Sequence, residues 1–206
     1  MRSLKVKRMI DVLGATAGLV VFALPMALIA LLIRLRMGRP VLFTQTRSGL
    51  AAQPFVIYKF RTMHDAVGPD GRTLPDAQRL TALGLFLRST SLDELPTLWN
   101  VLRGDMSLVG PRPLLMDYLD RYTKRQARRH DVRPGMTGLS QVKGRNALDW
   151  ERKLALDAEY AERWTLGLDL WILLRTVGKV LARAGINQPG QATTAPFEGT
   201  AQPDEG

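Results

Sequence analysis

The chain has 206 residues, 46% hydrophobic and 23% charged, and its 29 Lys and Arg against 19 Asp and Glu leave a formal charge of +10. It has no cysteine and only His64 and His130, which excludes disulfide scaffolds, thiolate nucleophiles, Cys-ligated metals and multi-histidine metal centres. The length suits one domain with its own core, and the basic excess points to an anionic partner, either nucleic acid or a phosphate-rich membrane or substrate.

Val12 to Ile33 is a run of 22 residues without a charge. At ~1.5 Å per residue, a helix of that length reaches across a hydrocarbon core of ~30 Å. Arg2, Lys5, Lys7 and Arg8 precede the run, and Arg34, Arg36 and Arg39 follow it. Lys and Arg stay on the cytoplasmic side, so a straight span would carry one cluster across against that tendency. Pro25 sits mid-run, where its ring meets the carbonyl of Val21 and removes a helical hydrogen bond, so a kink is predicted there. The halves 12–24 and 26–33 would reach only ~20 and ~12 Å. Residues 1–36 therefore read as a re-entrant membrane segment entering and leaving by the cytoplasmic face, with a kinked single span as the rival.

The stretches VLFTQTRSG and PFVIYKFRTM, parted by Ser48-Gly49 and Pro54, predict a β-hairpin, with Lys59 and Arg61 on one face of its second strand. Residues 65–79 are polar and rich in Gly and Pro, a loop. Short helices are predicted over 80–88 and 92–103, then a basic helical stretch from Asp117 to His130, a turn at 134–138 and a strand LSQV. Residues 149–164 place Trp150, Leu154, Ala158 and Ala161 on one helical face. In 166–184, Leu, Trp171 and the basic Arg175, Lys179 and Arg183 suit either a helix at a membrane surface or an ordinary packing helix. From Asn187 the chain is Pro, Gly, Thr and Ala, which predicts a disordered tail over 187–206. The fold expected is α+β and helix-rich: a monotopic membrane protein with a kinked re-entrant membrane helix over 1–36 and a cytoplasmic-face domain over 37–186.

The candidates for chemistry crowd into 88–112, which holds Arg88, Asp93, Glu94, Arg103, Asp105 and Arg112. Ser91-Leu92-Asp93-Glu94 fits a capping box, which would give both carboxylates a structural use. The other use is catalytic, since an aspartate can attack phosphorus or hold a divalent cation through oxygen. Attack on a diphosphate needs positive charge around it, which Lys59, Arg61, Arg88 and Arg112 could supply. Arg112 stands between Pro111 and Pro113, so its fork is carried on a stiff loop suited to phosphate.

The stretches YKFRTM, RSTSLDELPTLWNVLRGDMSLVGPRPLL, RPGMTGLSQVKGRN, LDAEY and LDLWILLRT, with the N-terminal KRMIDVLGA and the GRPVLFTQTRSG hairpin, occur in order from about Lys7 to Gly185. Together they resemble the bacterial sugar transferase family, the monotopic phosphoglycosyl transferases, in minimal catalytic form. The resemblance implies transfer of a sugar-1-phosphate from a UDP-sugar to undecaprenyl phosphate, dependent on Mg²⁺, at the cytoplasmic face of the bacterial inner membrane. The partners implied are that donor, that acceptor and membrane lipids, with no nucleic acid. Asp93 matches the nucleophile of the family's Asp-Glu dyad and would lie near Mg²⁺, and Glu94 would assist by proton transfer or positioning. Lys59, Arg88, Arg112 and Arg145 match basic, phosphate-binding positions. Asp157 and Asp169 match later acidic ones, with a nucleotide or structural role. The competing class is a non-enzymatic basic protein that binds a membrane surface or nucleic acid, in which 117–133 is a phosphate-backbone helix and the dyad a cap.

Overall fold

A computed structural model describes residues 4–144, 148–181 and 196–199. Helices α1 (Leu4–Val21) and α2 (Ala23–Met37) form the apolar N-terminal element and are bent by 60° at their junction. The break falls at Phe22, one turn before the Pro25 at which the sequence predicts it. The proline ring blocks the Val21 carbonyl, so the ladder opens where that carbonyl stands. On either side it is intact, with Phe22 N–H on Gly18 O at 2.9 Å and Met26 N–H on Phe22 O at 2.8 Å. No single helix among the described residues is long and apolar enough to cross a membrane, and only this bent pair qualifies together. Its outward face exposes Val20, Val21, Leu24, Leu28, Leu31 and Leu35.

Polar contacts fix α1 to the body. Asp11 is buried and accepts from Ser107 Oγ and Leu108 N–H, both at 2.9 Å. Lys7 Nζ donates to Asp169 at 2.5 Å, Val109 O at 3.0 Å and Tyr160 Oη at 3.2 Å. Arg8 donates to the carbonyls of Val101 and Leu102 at 2.6 and 2.7 Å. Two of the flanking charges counted above are therefore used inside the protein, while Lys5 stays exposed.

Strands β1 (Leu42–Ser48) and β2 (Pro54–Phe60) pair antiparallel, from Leu42 opposite Phe60 to Ser48 opposite Pro54, and form the predicted hairpin. The buried side chains of β2 serve two clusters: Ile57 packs with Ala15, Leu98, Val101 and Met106, and Phe60 with Ile29, Ile33 and Leu87. The polar loop carries one helical turn, α3 (Asp76–Arg79). Helix α4 (Ala82–Thr90) starts where Thr81 Oγ1 accepts from Gly84 N–H at 2.9 Å. The helix expected over 92–103 is divided into a 3₁₀ turn at Leu92–Glu94 and α5 (Thr97–Arg103). Pro96 has no N–H to continue the ladder and serves as the start of α5 instead.

Strands β3 (Ser107–Val109) and β4 (Gly135–Thr137) form a second, parallel pair that the sequence did not suggest. The strand expected at LSQV is a helix, α7 (Leu139–Lys143). A short apolar run fits either period; here Leu139 and Val142, three apart, both enter the core beside Ile172. The helix expected from Asp117 to His130 is three short pieces: 3₁₀ turns at Met116–Arg121 and Arg128–Asp131 around α6 (Lys124–Ala127). Thr123 interrupts it by forming a capping box with Gln126. Helices α8 (Trp150–Arg163) and α9 (Leu166–Leu181) follow as predicted, with Asp149 capping α8 through a 2.7 Å bond from Arg152 N–H. Their core joins Val109, Leu156, Tyr160, Trp164 and Ile172. The tail expected to lack structure contains a placed residue, Phe197, which is buried against Tyr118 and Leu154. The fold is thus α+β and helix-rich, with β2 and α5 sharing a buried cluster with α1.

Candidate active site

The dyad follows a strained turn. Ser91 ends α4 in the left-handed conformation, φ 58° and ψ 16°, which costs a non-glycine residue about 1–2 kcal/mol. From there the 3₁₀ turn presents Asp93 and Glu94. The predicted capping box is absent: Ser91 makes no side-chain cap bond, and Glu94 reaches across to the hairpin. Lys59 Nζ, next to the end of β2, donates to Glu94 Oε1 at 2.6 Å, and Arg112 Nη2 donates to the same oxygen at 2.9 Å. Asp93 accepts no hydrogen bond from a described residue. Arg88, in the last turn of α4, is steadied by a 3.0 Å bond from its Nε to Thr62 Oγ1, and its charge acts on Asp93.

Two adjacent carboxylates are thereby given opposite environments. Burial, then the charge of Glu94, pushes Asp93 up to about 6, with Lys59, Arg112 and Arg88 opposing. Burial would raise Glu94 too, but the charges of Arg112 and Lys59 and their hydrogen bonds hold it well below the usual carboxylate range. Burial lowers Lys59, against the pull of Glu94. One acid is a fixed anion clamped between two cations, and its neighbour is a half-buried, unclamped carboxylate that stays largely ionised near neutral pH yet is more basic than an ordinary aspartate.

Arg112 is carried on a loop whose backbone is held on both sides. Gly110 N–H bonds Thr137 O, Gly135 N–H bonds Pro111 O, and Ser48 N–H bonds Leu114 O, at 2.9, 2.9 and 3.0 Å. Only glycine fits at 110, because a Cβ there would lie 2.3 Å from Arg133 O. The Arg112 side chain remains 45% exposed, so the donors not used by Glu94 face open space.

The other predicted residues divide. Lys59, Arg88 and Arg112 gather at the dyad; Arg61 does not. Its guanidinium donates to the carbonyls of Met37 and Arg39 and to Asp65, because β2 ends at Phe60 and the period-two argument ends with it. Asp157 lies in the core, bonded to Arg129 at 2.8 Å and to Ser140 Oγ at 2.8 Å. Asp169 meets Lys7 and accepts from Tyr160 Oη at 2.6 Å. All of these contacts lie within the protein, and neither residue reaches the dyad's clamp. Arg145 lies outside the described residues. The sequence also gave no warning of Thr62, whose only distinction is its place beside Arg88, or of buried Arg129 within a basic run that looks solvated throughout. Among the described residues, no three His, Asp or Glu converge as a metal cage.

A family model described as bacterial sugar transferase matches residues 2–183. The chain is 50% identical over 194 residues to the uncharacterized sugar transferase EpsL of Bacillus subtilis, covering 94% of this chain and 96% of that protein. It is 46% identical over 187 residues to the UDP-glucose:undecaprenyl-phosphate glucose-1-phosphate transferase of Caulobacter vibrioides, covering 85% and 69%. A third relative, the undecaprenyl-phosphate galactose phosphotransferase of Salmonella typhimurium, is 42% identical over 73% of this chain and 35% of its own length. With the dyad, its two clamping cations and a family match across nearly the whole chain, this protein belongs to the bacterial sugar transferase family.

Proposed function

We propose that the chain transfers a sugar-1-phosphate from a UDP-sugar to undecaprenyl phosphate through a covalent intermediate on Asp93. The observation that carries this is the unequal dyad: Glu94 is locked between Lys59 and Arg112, while the more basic Asp93 beside them accepts no hydrogen bond from a described residue. The names of the Caulobacter and Salmonella relatives supply the donor and acceptor classes. In the first step a carboxylate oxygen of Asp93 bonds to the sugar-bearing phosphorus, the bond from that phosphorus to the bridging oxygen breaks, and UMP leaves with the electron pair. In the second, an oxygen of undecaprenyl phosphate attacks the same phosphorus and the Asp93 carboxylate is released. Lys59, Arg88 and Arg112 oppose the charge that builds up on both phosphates. Glu94 keeps Lys59 and Arg112 in place.

The donor set suits Mg²⁺ bound through Asp93 and the substrate's own phosphate oxygens, the usual arrangement for an ion that takes one or two carboxylates. When bound, it would supply further neutralisation of the diphosphate. The bent pair α1 and α2, apolar outside and basic at its ends, supports a re-entrant segment that seats the site at the cytoplasmic face of the inner membrane. The exposed Leu170, Trp171, Leu174 and Val177 of α9 suit the same surface. The nucleic-acid alternative loses its main feature, since 117–133 is no continuous helix and Arg129 in it is buried.

The test is incubation with a UDP-sugar and Mg²⁺ but no lipid acceptor, followed by mass spectrometry of the peptide holding Asp93. A sugar-phosphate mass on Asp93, absent in Asp93→Asn, is expected. Normal turnover with undecaprenyl phosphate and no such adduct would overturn the covalent route.

A further inference from the structure

Arg129 is 2% exposed, and its guanidinium has three partners. Asp157 Oδ2 lies at 2.8 Å, the Arg112 carbonyl at 2.5 Å and Tyr122 Oη at 3.3 Å. A buried ion pair returns little net stability once both charges are desolvated, so the placement of this one against the Arg112 backbone asks for another reason. Three carbonyls of the 110–114 loop are held. Those of Pro111 and Leu114 are held by backbone N–H groups, with Ser48 Oγ also donating to Leu114 O at 3.2 Å, whereas that of Arg112, whose side chain clamps Glu94, is held by the buried guanidinium of Arg129. Asp157 and Ser140 orient that side chain in turn, since Ser140 Oγ occupies the second Asp157 oxygen at 2.8 Å.

The far side of Arg129 is closed by aromatic rings. Its guanidinium carbon lies 5.7 Å from the Tyr122 ring centre, and Tyr122 stacks on Phe197 at 5.8 Å and 23°. Tyr118 and Trp150 meet Phe197 at 5.7 and 5.5 Å. The backbone of the C-terminal segment is fastened as well: Phe197 N–H donates to Tyr118 Oη at 3.1 Å, and Phe197 O accepts from Arg121.

We propose that Arg129 is a positioning residue for Arg112 and that Phe197 completes the cage that holds Arg129. Arg129 touches no reacting group; it sets the Arg112 backbone, and through it the guanidinium on Glu94. The inference rests on the transfer reaction proposed above. Without Phe197, Tyr122 and Arg129 gain room, water reaches the link to the Arg112 carbonyl, and Arg112 spends less time on Glu94. Lys59 still holds Glu94, so the donor binds but reacts more slowly.

The experiment uses the full-length chain with Phe197→Ala or Arg129→Lys, each alone and in an Arg112→Ala background. UMP release is followed against UDP-sugar concentration, and amide exchange across 110–115 is followed without substrate. Each single change is expected to lower kcat on the order of tenfold with little change in KM, to add nothing in the Arg112→Ala background, and to quicken exchange in 110–115. The exposed neighbour Glu198→Ala should leave all three readouts unchanged. Losses that persist undiminished without the Arg112 side chain, or unchanged exchange in 110–115, would overturn the proposal. Phe197→Ala leaves the Arg129–Asp157 pair intact and keeps the test open if Arg129→Lys fails to fold. Should the unaltered chain release no UMP while exchange quickens in both variants, the reaction is misjudged and the coupling stands.

Discussion

Asp93 and Glu94 are chemically almost the same residue, and their neighbours make them different. Asp93 must be ionised to attack, so UMP release should fall as pH drops through about 6. Glu94→Gln removes the negative neighbour that helps to raise Asp93, so the acid limb of a pH profile should move to lower pH. The rate should fall on the order of a hundredfold, because Lys59 and Arg112 lose their shared anchor. Stability runs the other way for Asp93. Its folded pKa of about 6 lies above the ordinary aspartate value of 3.8, so its favourable contribution is present below the lower value and lost as pH rises through the upper one. At pH 7 the ionised form is therefore a cost. Asp93→Asn should abolish UMP release yet raise the melting midpoint by about 2–4 °C, the equivalent of about 1 kcal/mol after allowing for water at the site. Calorimetry beside the activity assay checks both. At this scale the adjacency of two acids was legible in LDELP, but which one would be paired was not. Pairing depends on Lys59 and Arg112, which lie 35 and 18 residues from Glu94.

At the scale of elements, the ones that came out as predicted had long or strongly patterned signals: a bent helical element over the apolar run, the hairpin, α8 and α9. Those that differed were short. LSQV became a helix because its apolar residues met the core at helical spacing, and 117–130 broke where Thr123 preferred to cap. Helix α4 offers a direct test of how tightly such pieces are seated. A Cβ at Gly84 would stand 1.9 Å from Thr62 O, and Thr62 also bonds Arg88. Gly84→Ala should push α4 outward and cost on the order of 3 kcal/mol in thermal unfolding. Gly178→Ala, inside α9 where a Cβ meets nothing within 4 Å, should gain about 0.5–1 kcal/mol. The bend makes a prediction of its own. Pro25→Ala restores the missing N–H and allows α1 and α2 to run on as one helix of ~50 Å, long enough to span. In this chain, which has no native cysteine, a Lys5→Cys probe should stay on one side of the membrane with Pro25 and reach the other in part of the population with Pro25→Ala. Impermeant thiol labelling reads the outcome.

Across the whole molecule, the apolar N-terminal element and the catalytic body are joined by buried polar contacts rather than by grease alone. Lys7 links α1 to α9 through Asp169, with side-chain exposures of only 12% and 10%. Lys7→Ala would leave the Asp169 charge buried beside Tyr160 and should cost about 3–5 kcal/mol. Lys5→Ala, two residues away and exposed, should change little. Thermal unfolding in one detergent, run on both, compares them directly.

What the sequence determined alone was whatever lies in local pattern: an uncharged run with basic flanks, a proline within it, two adjacent acids, an arginine between prolines, and a set of motifs spanning most of the chain. Composition and spacing act over a few residues, and these features need no more than that. The tertiary structure decided which charges are used for chemistry and which for holding the fold. Arg61 and Arg112 were both candidates to face a phosphate, yet one is taken up by the carbonyls of Met37 and Arg39 and the other by Glu94. Lys7, Arg129, Asp157 and Phe197 acquire their roles only from partners far along the chain. A charged or aromatic side chain takes its energy from its surroundings, and those surroundings exist only after the chain has closed on itself.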